Sequence, residues 1–183
     1  MKILAETERL ILREILPQDE DGLFEMDSDP EVHRYLGNEP VQNREQIREV
    51  IRYIRRQYTD NGIGRWAVTD RHTHRFLGWA GLKLVTETVN GHTGYHDLGY
   101  RFMKQHWGRG YATEAARAVL DYGFDRMHLD EIYAMADCGN AASDHVLTKA
   151  GFTRLHTFDF ESTPHHWYKM EKAPGTASHT LFP

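Results

Sequence analysis

Cysteine is almost missing from this chain: Cys138 stands alone among 183 residues. A lone thiol excludes an internal disulfide framework and suits a reducing compartment, so a cytoplasmic location is expected. Long apolar runs are missing too. None approaches the roughly 20 residues that a membrane-spanning helix needs. Met1-Lys2-Ile3-Leu4 leads straight into Glu6 and Glu8, without the apolar stretch of a signal peptide. There is no excess of positive charge; the formal net charge is −5. That argues against nucleic acid as the main partner and is compatible with a cationic substrate. The Walker A string G-x-x-x-x-G-K-[ST] does not occur. Histidines are present, but His72-x-His74 and His165-His166 fall in expected turns with no second cluster at ligand spacing. No metal is therefore expected. Hydrophobic residues make up 40% and charged residues 27%, a globular balance. The length suits one domain over residues 1–172. The small, polar stretch 173–183 is expected to be a flexible tail.

What is there is organised around Gln105-His106-Trp107-Gly108-Arg109-Gly110-Tyr111-Ala112-Thr113-Glu114. A strand-like run over residues 95–102 precedes it, and a helical pattern over about residues 111–126 follows. The first amides of a helix have no intrahelical partner, and the helix dipole leaves that end partly positive. Glycines let an anion approach the backbone without meeting a Cβ. Residues 108–113 are thus expected to cradle a phosphate or pyrophosphate; a plain tight turn before a helix is the other reading. The dinucleotide fingerprint G-x-G-x-x-G is not met, because Thr113 stands at its third glycine.

The remaining pattern alternates strands and helices. Residues 7–14 read as a first strand, and Pro17-Gln18-Asp19-Glu20-Asp21 as a helix start that Asp29-Pro30 ends. Ile47, Val50, Ile51, Ile54 and Tyr58 share one face of a helix over residues 43–60, with its arginines on a solvated face. Strands are expected over residues 64–69, 76–85 and 95–102, with Asn90-Gly91 as a turn. After the main helix come a strand over 131–137, a helix over 140–150, and a hairpin from 151–160 and 166–170. This order suits an α/β (α+β) fold with helices on both faces of a central mixed sheet.

Trp107-Gly108-Arg109-Gly110-Tyr111-Ala112-Thr113-Glu114-Ala115 resembles the acetyl-CoA pyrophosphate loop of the GNAT N-acetyltransferases, [QR]-x-x-G-x-[GA] before a helix. Gly110 and Ala112 match. Trp107 departs from the general pattern but has the form seen in the subgroup that acetylates N-terminal residues of ribosomal proteins. Two further stretches extend the resemblance over most of the chain. Asn140-Ala141-Ala142-Ser143-Asp144-His145-Val146-Leu147-Thr148-Lys149-Ala150-Gly151-Phe152 is similar to N-x-x-S-x-x-[VL]-L-x-K-x-G-F. His96-Asp97-Leu98-Gly99-Tyr100-Arg101-Phe102 is similar to the strand before the loop.

The resemblance implies the GNAT fold, with a mostly antiparallel sheet in which the strands over 95–102 and 131–137 run parallel and splay apart. It implies acetyl-CoA as co-substrate. Trp107, Gly108, Arg109, Gly110, Tyr111, Ala112 and Thr113 would hold its pyrophosphate. Backbone of Tyr100, Arg101 and Phe102 would hold the pantetheine amides, and Asn140 would contact the same arm. Many relatives place a proton-donating tyrosine where Leu147 stands; Ser143 is then the candidate thiolate partner. Asn140 and Ser143 are also well placed simply to cap a helix. The incoming amine must lose a proton. An α-amino group, near ~8, gives it up more readily than a lysine, near ~10.4. Asp97, raised by burial, is the candidate base; His96 lies on the opposite strand face. Cys138 is expected near the cleft as a buried, inert thiol.

The expected activity is acetyl transfer to a primary amine, a protein N-terminus or a small molecule, directly within a ternary complex. A non-catalytic acyl-CoA-binding module is the alternative. Partners would be acetyl-CoA and the amine, with neither nucleic acid nor membrane, and the protein a monomer or homodimer. The acceptor site is expected between residues 23–37 and the strand-connecting loops.

Overall fold

The computed structural model describes residues 2–173. The expectation for the tail falls, apart from Ala173, outside them. Five strands form an antiparallel meander: β1 (Ile3–Glu6), β2 (Leu10–Glu14), β3 (Arg65–Asp70), β4 (Phe76–Val85) and β5 (Tyr95–Phe102). The sheet continues through β6 (Glu131–Asp137), parallel to β5, and then the closing hairpin of β7 (Thr153–Phe160) and β8 (Thr163–Glu171). The spatial order is β1-β2-β3-β4-β5-β6-β8-β7. The expected first strand over 7–14 is β2, beginning only at Leu10, and a further strand, β1, stands before it. Thr7 turns the chain, its amide bonding the Leu10 carbonyl, and β1 precedes the turn.

Alternation along the strands sends side chains to two cores. On one face Leu10, Leu12, Trp66, Val68, Ala80, Leu82, Leu98 and Phe102 pack with α4 (Tyr111–Asp121) and α5 (Ala141–Ala150). On the other, Ile15, Ala67 and Met103 pack with α1 (Glu20–Asp27), α2 (Pro30–His33) and α3 (Arg44–Asn61). α3 follows its sequence pattern closely. Asn43 caps it with a reciprocal bond to Gln46, and Gly62, at φ 71°, ends it. Ile47, Ile51 and Ile54 are buried, each contributing about 1.5–3 kcal/mol relative to exposure. Its exposed Arg44 and Arg48 pair with Glu20 and Asp21 of α1. The main helix is shorter than its pattern. α4 stops at Asp121, and residues 122–126 widen into a π turn. There Tyr122 meets Trp66 edge-on at 4.9 Å.

Gly78 lies opposite Phe102 where β4 pairs with the end of β5. A Cβ there would come within 2.7 Å of the Phe102 Cα and collide with the Arg101 carbonyl. Backbone cannot yield as a side-chain tip can. Gly78→Ala is expected to lower stability by about 1–3 kcal/mol, read as a fall in the urea midpoint at unchanged m-value.

Candidate active site

β5 and β6 share a single registered pair, Asp97 with Tyr133. Beyond it Leu98–Phe102 are laddered to β4 and Ala134–Asp137 to β8, with no further registered pair between β5 and β6. The two strands part, and each turns an unsatisfied edge of N–H and C=O groups toward the gap. The chain leaving β5 reaches α4 through a short 3-10 turn, Lys104–His106, and the glycine loop.

That loop is held open. Gly108 and Gly110 have φ of 70° and 78°, the left-handed region that glycine enters without strain. A Cβ at Gly108 would meet nothing within 4 Å. No side chain caps α4. The amides of residues 108–113 bond no backbone carbonyl among the described residues. They are free donors at the positive end of an 11-residue helix. The loop is braced from outside. Arg9 donates to the Arg109 carbonyl at 2.9 Å and to Glu114 Oε2 at 2.7 Å, and its guanidinium lies 4.6 Å from the Tyr111 ring centre. Thr7 donates to Glu114 Oε1 at 2.5 Å. Burial works to raise the Glu114 pKa, but the Thr7 and Arg9 hydrogen bonds prevail and leave it low. Trp107 donates from Nε1 to the Phe102 carbonyl at 2.8 Å, tying the loop to the end of β5. An open groove of about 680 Å³ starts at Gly110 and Thr113 and runs past Arg117 along α4.

On the α4 side of the gap, Tyr100 reaches from β5 to the first turn of α5. Its hydroxyl lies 2.9 Å from Ser143 Oγ and donates to the Ser143 carbonyl at 3.3 Å. Burial pushes the Tyr100 phenol up to about 12, so at neutral pH it keeps its proton. Asn140 caps α5 by accepting from the Ser143 amide at 3.1 Å. Leu147 is in the core. Cys138 is half-buried, rather than fully buried as expected, with Sγ 3.5 Å from His166 Nδ1. Among the described residues, no three His, Cys, Asp or Glu side chains gather to hold a metal ion.

The opposite face carries charges that the sequence pattern did not bring together. Arg65 runs across β4 and β5 over Gly81 and Gly99, whose hydrogens leave it room; a Cβ at Gly99 would lie 2.7 Å from the Arg65 Cζ. Its guanidinium meets Asp97 Oδ2 at 2.5 Å and the Asp97 and Gly81 carbonyls at 2.7 and 2.6 Å. Asp97 therefore has a charged partner where the sequence offered only a lone acid. Burial pushes its pKa up, and Arg65 pulls against that rise. The Arg101 side chain turns to this face and donates to Asp27 Oδ1 at 2.7 Å. Burial opposes the ionisation of Asp27, but His33 and Arg101 hold its pKa low. Trp79 lies under both guanidiniums, 5.4 Å from Arg65 and 5.2 Å from Arg101. Arg65 and Trp79 escaped sequence reasoning, and Asp27 and His33 were covered only by the expected acceptor stretch 23–37, because their meeting depends on strand register. His96, as alternation required, points away from Asp97.

A parted parallel pair with a free-amide loop at its end is the architecture that the loop resemblance implies. A family model described as "Acetyltransferase (GNAT) domain" matches residues 9–153. The chain belongs to the GNAT acetyltransferase family. As an acetyltransferase of this family, the chain is 36% identical over 146 residues to the uncharacterized protein YkkB of Bacillus subtilis, covering 79% of this chain and 82% of that one. Two solved structures share its fold. A putative ribosomal-protein-serine acetyltransferase from Vibrio cholerae superposes with a TM-score of 0.74 at 18% identity, over 91% of this chain and 96% of that one. Spermidine N-acetyltransferase from Vibrio cholerae, in complex with CoA and spermine, gives 0.72 at 17% identity, over 90% and 96%. Two such different acceptors on one fold mean that the fold alone does not select the amine.

Two outcomes are expected. Gly110→Asp puts a carboxylate and a strained backbone into the loop, and should weaken acetyl-CoA binding at least about tenfold by calorimetry; unchanged affinity would show that the loop does not carry the cofactor. Asp97→Asn leaves Arg65 buried without a counter-charge and should cost about 3–5 kcal/mol of stability, whereas Arg65→Met with Asp97→Leu should recover most of it.

Proposed function

We propose that this acetyltransferase moves an acetyl group from acetyl-CoA to a primary amine directly, within a ternary complex. The observation that carries the reading is the gap between β5 and β6, closed at one end by six unengaged amides. The loop from Trp107 to Thr113 would bind the pyrophosphate. The backbone of Tyr100, Arg101 and Phe102, with Asn140 opposite, would bind the pantetheine arm. A β5 amide facing the thioester oxygen would stabilise the oxyanion.

The amine lone pair attacks the thioester carbon, forming the C–N bond, and the C–S bond then breaks to give thiolate. Ser143, with Tyr100 2.9 Å behind it, hydrogen-bonds to the thiolate sulfur, and the sulfur takes its proton from water, matching the one that the amine gives up. Asp97, whose second carboxylate oxygen has no hydrogen bond among the described residues, takes the amine proton through water. Arg65 holds that carboxylate in place. Direct transfer is favoured over an acyl-enzyme because the group beside Ser143 is a phenol that keeps its proton, not a base that would activate a nucleophile.

Thiol release from acetyl-CoA, followed over a panel of small primary amines and N-terminal peptides, tests the reading. Release that depends on the amine is expected. Tight acetyl-CoA binding without turnover on any acceptor would favour a non-catalytic acyl-CoA-binding module. Ser143→Ala should lower kcat at least about tenfold with little change in acetyl-CoA affinity, and Tyr100→Phe should act in the same direction. An equal loss of kcat and affinity in Ser143→Ala would make it a binding residue instead.

A further inference from the structure

Among the described residues, six buried side-chain nitrogen or oxygen atoms have no hydrogen-bond partner, and three of the six lie together: His33 Nδ1, His33 Nε2 and Arg101 Nε. Buried polar atoms are ordinarily paired, because each unpaired one costs about 1–3 kcal/mol. A cluster of three is therefore a feature to explain. His33 is only 7% exposed, and its Nε2 stands 3.7 Å from Asp27 Oδ1, too far for a hydrogen bond. Asp27 meanwhile holds Arg101 through Nη1, and Nε is left without a partner.

The place matters as much as the atoms. Arg101 lies on β5 past Asp97↔Tyr133, where the strands have parted, and its side chain is on the face away from α4. The segment after α2 reaches the far strand: Tyr35 Cε1 would be 3.4 Å from a Cβ at Gly139, just beyond β6. The α1–α2 segment thus spans the mouth of the gap from the end of β5 to the end of β6. His33 is carried beneath it. The Tyr100–Ser143 pair occupies the α4 side, which leaves this face for the amine.

We infer that His33 and Arg101, fastened by Asp27, form an acceptor subsite that takes a neutral carbonyl oxygen next to the reacting amine. Arg101 Nε is a fixed donor, and one ring nitrogen of His33 carries a second. Asp27 already balances the Arg101 charge, so the subsite does not call for a carboxylate. An amide carbonyl, as in the first residue of a peptide or in an α-amino amide, satisfies it; a plain alkylamine leaves both donors unpaired. The inference rests on the acetyl-transfer reading and narrows its acceptor.

The test compares L-alaninamide with sec-butylamine, which keeps the branched amine and lacks the carbonyl, and with L-alanine, which adds a charge. Rates are referred to unprotonated amine, because the α-amino group titrates near ~8 and the alkylamine nearer ~10.4. L-Alaninamide should exceed sec-butylamine in kcat/KM by at least about tenfold, with L-alanine below alaninamide. His33→Phe should shrink the alaninamide to sec-butylamine ratio at least about tenfold, and His33→Gln, which keeps a donor, should restore part of it. A ratio insensitive to fold losses is used because both acceptors meet the same folded fraction. Equal use of alaninamide and sec-butylamine by the unaltered protein overturns the subsite even if no variant folds, and so does a ratio that His33→Phe leaves unchanged. Acetyl-CoA binding with no turnover on any amine would instead remove the transfer reading, and this subsite with it.

Discussion

The architecture of this protein depends on two parallel strands that stop pairing. β5 and β6 are joined at Asp97 and Tyr133 and part from there, leaving facing backbone groups without ladder partners. Unpaired backbone inside a fold is costly, so the gap persists only because the surroundings hold the strands apart and both remain paired on their outer sides. In the proposed reading those same groups receive the thioester arm. The cost of the gap and the capacity to bind are one property of the backbone.

Three devices keep the gap and its surroundings in shape. At its end, Arg9 and Thr7 clamp Glu114, while Trp107 ties the loop to β5, so the free amides face outward. On one side, Tyr100 and Ser143 bridge from strand to helix. On the other, Arg65 crosses a pavement of Gly81 and Gly99 to Asp97, and Arg101 docks on Asp27. Breaking one half of a buried ion pair is far more costly than never having had it. The two pairs therefore fix the geometry of this face more than they add to stability. Trp79 lies against both guanidiniums and fixes their spacing.

The two sides of the gap divide the chemistry. The α4 side presents a hydroxyl pair beside the expected thiolate. The α1–α2 side presents the carboxylates, arginines and a histidine among which an amine would be placed. Family membership explains the first side, because the loop and the α5 cap are written in contiguous residues. The second side is built from residues 27, 33, 65, 79, 97 and 101 on separate elements.

Much of this was determined by sequence alone, wherever the cause is local. The α3 stripe of Ile47, Ile51 and Ile54 follows from a 3.6-residue period, and Asn43 and Gly62 mark its ends. The open loop follows from two glycines before a helix, and the parallel pair from a helix joining two strands. Only the tertiary structure decided that Asp97 has Arg65 as its counter-charge, that Arg101 turns to the α1–α2 face, that Tyr100 backs Ser143, and that His33 is buried 3.7 Å from Asp27 with no hydrogen bond of its own. It also decided that β1 is a strand of its own and that α4 ends in a π turn. The physical reason is the range of the interaction: caps, turns and amphipathic faces are set by residues within a few positions of one another, whereas ion pairs and subsites are set by register between strands and helices far apart in the chain.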